Sequence, residues 1–327
     1  LSTPTIIRLS PNSLGHYNVC RRFHWYYKIR DRRLVRTSPG RANGTAMHAG
    51  MLALNQGKSV AEQEAAIDAA FAASPTPVDD YRQASFAKDG LAAFRAEFGS
   101  TFADWTIEET EAQGEVELGR IHWGVYSPRN PASDFLFVKR SVAEPEHEAV
   151  VMFEFRRDLV AVSPEGQRFV FDYKTASRNE QVEYEAAKVS GALKAYARTY
   201  QMQHGKPVHG AYLIRLIMRK PSRTGVAFEF PKDGPIYFSD AVLDEWQRQT
   251  LRIAREILER DPNDPDDWPL SSTDKGACRF QWGACDYLGV CQLPPADRLL
   301  KLSTDEFEDA EAAKQRERAG DGATQET

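Results

Sequence analysis

A chain of 327 residues, 42% hydrophobic and 27% charged, can bury a sizeable core and has the balance of an ordinary globular protein. No apolar run approaches the length of a membrane span, and the opening LSTPTIIRLS lacks the charged-then-apolar layout of a secretory signal. Neither a membrane protein nor a secreted one is expected. In chain order, Ser10-Pro11-Asn12-Ser13 reads as a helix start, ahead of LGHYNVCRRFHWYYKIR. Gly40 to Gly44 reads as a loop, followed by a helix over 45–54. Alanine-rich helices are predicted over 60–71 and 79–98, so the first hundred residues read as helical.

The period then changes. Segments 105–124 and 149–175 are rich in Val, Ile, Phe, Tyr and Trp, with the alternation of strands. Between them, 128–146 reads as an insertion or long hairpin connection. Ser163-Pro164-Glu165-Gly166 is a turn signal. A helix over 182–203, strands over 210–218 and 225–230, and a helix over 240–259 follow. Residues 261–302 form a segment bearing Pro and Cys, and 303–327 a charged, partly disordered tail. The organisation expected is one domain over 1–302: a helical part to 100, an α/β core over 101–260 and the cysteine segment.

The net charge of −5 is unevenly spread. Between Cys20 and Arg41 there are eight Lys/Arg, among them Arg21, Arg22, Arg32 and Arg33, against one acid, Asp31. The last 25 residues hold eight acids and three bases, which leaves 1–302 formally neutral. A compact basic arm on a neutral body suits contact with DNA, and equally suits a solvated helix end.

Of the four cysteines, Cys278, Cys285 and Cys291 share one short stretch, and Cys20 lies far upstream. Such clustering points to one shared site. Four thiolates suit a tetrahedral zinc ion or an iron–sulfur cluster. The six- and five-residue gaps are longer than a usual zinc knuckle, which favours iron–sulfur; disulfides and unconnected buried thiols stay open. A cluster joining both ends of the chain would clamp the N-terminal helix onto the C-terminal segment.

In FEFRRDLVAVSPEGQRFVFDYKTAS, alternation along 169–174 puts Asp172 and Lys174 on one strand face. Asp158 sits on the preceding strand, placed to meet Asp172 across the turn. Two carboxylates and a carbonyl make a hard oxygen site for magnesium or manganese. A lysine beside them can stabilise charge building on a phosphate. The plainer reading of Asp-x-Lys is a surface ion pair, and that of His48, on its own helix, a satisfied packing residue.

The ordered set Ser10-Pro11-Asn12-Ser13 with Cys20, Gly44-Thr45-Ala46-Met47-His48, Asp158, Asp172-Tyr173-Lys174, the 185–203 helix and the cysteine triplet resembles the PD-(D/E)XK nuclease superfamily. Within it the resemblance is to the RecB-like branch, which includes CRISPR-associated iron–sulfur nucleases and phage exonucleases, and it spans about residues 10–292. It implies an α/β, restriction-endonuclease-like core, a mixed central sheet flanked by helices, with N-terminal helical additions and a C-terminal iron–sulfur segment. It further implies that His48, Asp158, Asp172 and the Tyr173 carbonyl hold Mg2+ or Mn2+, and that Lys174 is the catalytic lysine. Cys20, Cys278, Cys285 and Cys291 would carry a structural 4Fe-4S cluster, with Zn2+ as the alternative.

Two positions depart from the family pattern. Its Gly-Arg-Ile-Asp reads Phe155-Arg156-Arg157-Asp158, and Ala192 stands where a Gln would precede the helix tyrosine. Tyr196 and Tyr200 are candidate DNA contacts, although aromatics at helical spacing are more often core. The function expected is a DNA exonuclease acting on single- or double-stranded DNA, in the cytoplasm of a prokaryotic cell or phage-infected host. Repair, recombination or CRISPR-type proteins are its expected partners. The alternative is a catalytically reduced iron–sulfur DNA-binding or adaptor protein of such a complex.

Overall fold

The structure is a computed structural model that describes residues 4–34, 39–73, 80–99, 104–123, 147–176, 190–222, 227–271, 278–280 and 283–313. The expected insertion over 128–146, the start of the 182–203 helix and most of the tail lie outside these residues.

The chain opens with a strand, β1 (Thr5–Leu9), which the helical reading of this region missed. Helix α1 (Pro11–Val19) then starts on a capping box: Ser13 N donates to Ser10 Oγ at 3.2 Å and Ser10 N to Ser13 Oγ at 2.7 Å, with Pro11 in the first turn. This arrangement satisfies two amides that a helix start leaves unpaired. Extended backbone at Cys20 breaks the helix. Helix α2 (Arg21–His24) follows and runs on as a π-helical turn, Trp25–Ile29. A two-residue strand β2 (Arg33–Leu34) precedes helices α3 (Pro39–Asn55), α4 (Val60–Ala73) and α5 (Ala84–Phe98). Gly40 to Gly44, expected as a loop, lies in the first two turns of α3.

Strands β3 (Thr106–Trp123), β4 (His147–Val162) and β5 (Arg168–Ala176) come next, then helix α6 (Gly191–His204), which Gly205 ends at φ 65, the left-handed stop typical of glycine. Strand β6 (Gly210–Met218) matches the sequence reading residue for residue. Strands β7 (Phe228–Glu229) and β8 (Lys232–Tyr237), helix α7 (Asp240–Leu258), a small hairpin of β9 (Arg279–Phe280) with β10 (Gly283–Ala284), helices α8 (Leu288–Cys291) and α9 (Pro295–Leu302) and strand β11 (Phe307–Glu308) complete the chain.

Seven strands form one mixed sheet. β1 is parallel to β4, β4 antiparallel to β5, and β5 parallel to β6, while β3 adds to β4 and β7 and β8 add to β6. All nine residues of β6 are buried, as a central strand covered on both faces requires.

Three apolar clusters hold the layers together. On one face, Met47, Met51, Ile67, Leu91 and Phe94 from α3–α5 pack on Leu159, Phe171, Tyr173 and Ile214. On the other, Leu193 and Ala197 of α6 and Leu243 of α7 cover Val160, Val170 and Leu213. The third joins both ends of the chain: Tyr17, Phe23, Trp25 and Tyr26 pack with Trp268, Tyr287, Val290, Leu302 and Phe307. Each large side chain so buried contributes about 1.5–3 kcal/mol.

Candidate active site

β4 is paired along its length with β3, but on its other edge it has two partners in succession. β1 covers Ala149–Phe153 and β5 covers Leu159–Val162. Residues 154–158 therefore lie in a fork of the sheet. At its upper limb β5 leaves β4 just past the Leu159–Phe171 pair, so the next residues, Asp158 and Asp172, face one another across the opening. The ladder gives way to a side chain there: Tyr173 N donates to Asp158 Oδ2 at 2.7 Å. Asp158 and Asp172 are 6% and 4% exposed, and Lys174 donates from Nζ to Asp172 Oδ1 at 2.8 Å with its own side chain half-exposed.

His48 enters from α3. A Cβ on Gly44 would come within 2.9 Å of Thr175 Oγ1, so the glycine lets α3 lie close against β5 and carries His48, one helical turn on, to the fork. Its Nδ1 lies 3.5 Å from Asp158 Oδ1 and 3.4 Å from Glu111 Oε1. One ligand atom from each of His48, Glu111 and Asp158 lies within 4.8 Å of the others.

Glu111 is the residue that sequence reasoning missed. It faces Asp158 in the β3–β4 register, between the pairs Thr110–Leu159 and Ala112–Arg157, and its φ of 46 interrupts the ladder there. Five glutamates crowd 105–124, and only the register says which of them reaches the fork.

The charges are interlocked. Burial draws the His48 imidazole down, but the carboxylates of Asp158 and Glu111 outweigh it and push the pKa up to about 9. Burial would raise Asp158; the His48 imidazole and the Tyr173 N–H overcome that and hold it below the usual carboxylate range. At Asp172 burial prevails against the pull of Lys174, and the carboxyl is raised. Lys174 is held above its ordinary range because the Asp172 carboxylate, with Tyr196 and Asp158, outweighs burial. The Tyr196 phenol is raised by burial and next by Asp172, with Lys174 and Arg156 opposing. Tyr196 itself is partly buried on α6 and packs against the cluster of Val160, Val170 and Leu193.

Other expected contacts are elsewhere. Tyr200 is 1% exposed and its hydroxyl donates to Glu108 Oε2 at 2.5 Å; it is a core residue in an ion network. Arg22 is 3% exposed and its Nε donates to the Trp268 carbonyl at 2.6 Å, which ties the two ends of the chain together. Arg21 lies over the Tyr17 ring at 4.8 Å, and Arg33 over Tyr27 at 4.8 Å with Asp31 at 3.6 Å. Arg32, half-buried, lends its carbonyl to the Tyr287 hydroxyl.

Phe155, where the family glycine is expected, is 5% exposed and lies opposite Gly114. A Cβ there would stand 3.1 Å from the Phe155 ring. The missing glycine has in effect moved across the strand pair, and the ring also receives the Arg157 guanidinium at 3.9 Å.

Among the described residues all four cysteines are free thiols. Cys20 is buried in the terminal cluster, and Cys285 and Cys291 pack against it. Cys285 N donates to the Cys278 carbonyl at 3.1 Å. The Cys285 thiol is pushed up to about 12, by burial first and then by the other cysteines.

A sequence model of the PD-(D/E)XK nuclease superfamily matches residues 8–292. The chain belongs to this superfamily. Its mixed sheet flanked by helices is consistent with the restriction-endonuclease-like fold of PD-(D/E)XK proteins, and membership suggests a metal-dependent nuclease, for which the His48–Glu111–Asp158 group could bind the metal. No curated protein matches the chain. A solved structure described as the crystal structure of SSO0001 is similar at 11% identity, covering 64% of this chain and 74% of that one with a TM-score of 0.23, a likeness too distant to speak to the fold. Among the described residues no helix is long and apolar enough to cross a membrane.

Proposed function

We propose that the protein is a divalent-metal-dependent DNA nuclease of the RecB-like branch, working as an exonuclease. The observation that carries the reading is the meeting of Asp158, Asp172, Lys174 and His48 at one fork of the sheet. Hard carboxylate oxygens, a backbone carbonyl and one imidazole suit magnesium or manganese. His48, Asp158, Asp172 and the Tyr173 carbonyl would hold the ion, with Glu111 beside them. When bound, the ion would polarise the phosphate and make an attacking water available near neutral pH.

The chain's own residues supply the rest. Asp172 holds the Lys174 ammonium at the open side of the fork, where negative charge builds on the phosphate. His48 must release its proton before it can act as a ligand.

For the four thiols we propose a 4Fe-4S cluster. Support comes from the spacing of the cysteines in the sequence and from the place of Cys20, Cys285 and Cys291 at the terminal aromatic cluster: a free thiolate is disfavoured in such a setting, and a bound metal would compensate it. Its role would be structural, since hydrolysis transfers no electron. The setting is the cytoplasm of a prokaryotic cell or phage-infected host, among repair, recombination or CRISPR-type proteins.

The test uses anaerobically purified protein on end-labelled linear and closed-circular DNA with magnesium or manganese, beside Lys174→Ala. Degradation of linear DNA by the wild type alone is expected. Equal cleavage by the variant would sink the mechanism, and cleavage of circles would make the protein an endonuclease. Folded protein that cleaves nothing would leave a DNA-binding module. Zinc without iron in that preparation would replace the proposed cluster with a zinc site.

A further inference from the structure

Arg156 lies in the forked stretch of β4, two residues before Asp158. Its side chain is 65% exposed, and its Nε donates to Glu111 Oε2 at 2.7 Å. The other oxygen of that carboxylate faces His48. Glu111 is therefore divided between the candidate metal group and a cation from outside it. It is also one of two non-glycine residues at positive φ among those described, a strained conformation that persists where its surroundings insist on it. The Arg156 guanidinium forms no other hydrogen bond among the described residues, and it acts on the Tyr196 phenol.

We propose that Arg156 is an internal counter-ion of Glu111 that a divalent cation displaces, freeing the guanidinium to grip a phosphate of the DNA strand beside the one to be cut. The proposal rests on the nuclease reading above. A cation held at the fork, in contact with the Glu111 carboxylate beside its ligands, would offset the negative charge that keeps Arg156 in place and repel the guanidinium at short range. The planar fork of an arginine matches a phosphate better than any other side chain, and the exposed Arg156 side chain lies at the surface where a phosphate can approach it. Metal-free protein would then hold DNA weakly, and metal loading would prepare the grip.

The experiment measures binding of a short fluorescein-labelled single-stranded oligonucleotide in calcium and in EDTA, and manganese affinity by titration, for folded wild type, Arg156→Gln and Glu111→Gln. Wild type is expected to bind the oligonucleotide about tenfold tighter in calcium. Arg156→Gln should lose that gain yet bind manganese several-fold more tightly, because Glu111 is released from its partner. Glu111→Gln should bind the oligonucleotide in EDTA as tightly as wild type does in calcium. A merely structural arginine would not raise metal affinity when removed. An unchanged calcium gain and unchanged manganese affinity in Arg156→Gln overturn the proposal and leave the nuclease reading standing. A wild type that binds no manganese overturns both.

Discussion

His48 ties stability to pH. Its pKa is raised from 6.5 to about 9 in the folded, metal-free protein. The charged imidazole therefore contributes stability that is fully present below about pH 6.5 and is lost as pH rises through about 9, at about 1.4 kcal/mol for each pH unit crossed. In EDTA the wild type should lose about 1–3 kcal/mol across that window in urea unfolding, while His48→Gln should show a flat profile. A sloping profile in the variant would assign the pH dependence elsewhere. Arg157, one residue before Asp158, is fully buried and donates to Glu109, Thr199 and Gln203 at 2.9, 3.1 and 2.7 Å. Removing it takes the buried cation from Glu109, which keeps only His204 among the described residues, and leaves Gln203 without this donor, so Arg157→Leu should cost about 3–5 kcal/mol in the same measurement. A loss below about 1 kcal/mol would mean that water reaches the network freely, with roughly the effect of a surface pair.

Elements set the geometry of these residues through two close approaches. Gly44 brings α3 onto β5 at Thr175, and Gly114 makes room for the Phe155 ring between β3 and β4. Gly44→Val should push the helix off, shift His48 and weaken manganese binding about tenfold, and Thr175→Ala in the same chain should restore part of it. Equal affinity in wild type and Gly44→Val would show that α3 is free to adjust. Much of this layer is readable from residues alone. β6 is an apolar run broken only by Arg215, and alternation along β5 places Asp172 and Lys174 together on the face away from Phe171 and Tyr173. What is not readable depends on register. Glu111 is chosen from five glutamates by the residue it faces on β4, and the compensation of Phe155 by Gly114 needs the same pairing. β1 is short and mixed in polarity, and it becomes a strand because β4 offers it an edge. Gly40 and Gly44 read as loop residues, yet Gly44 serves here for close packing.

At the scale of the molecule, the two ends of the chain share one core. Arg22 meets Trp268, Trp25 Nε1 donates to Pro262 O at 2.9 Å, β2 pairs with β11, and Ala310 N donates to Asp31 Oδ2 at 3.1 Å. Cys20→Ser, in the middle of that core, should therefore loosen the join between the two ends. Limited proteolysis is expected to release a fragment C-terminal to α7 from the variant while wild type resists. Equal resistance in both would show that the aromatic packing alone holds the ends together.

That closure has a consequence for biosynthesis. The partners of Arg22 and Asp31 lie 246 and 279 residues downstream, so at 5–20 residues per second the N-terminal aromatic helix waits roughly 12–50 s before Trp268 is even made. Through that interval Phe23, Trp25 and Tyr26 lack the part of their covering surface that Trp268, Tyr287 and Phe307 supply, while α3 to β5, which build the fork, are made well before it ends. The nascent chain thus passes through a stage in which the fork can assemble but the sticky aromatic segment is partly bare, and that stage is where a chaperone or premature termination would leave its mark.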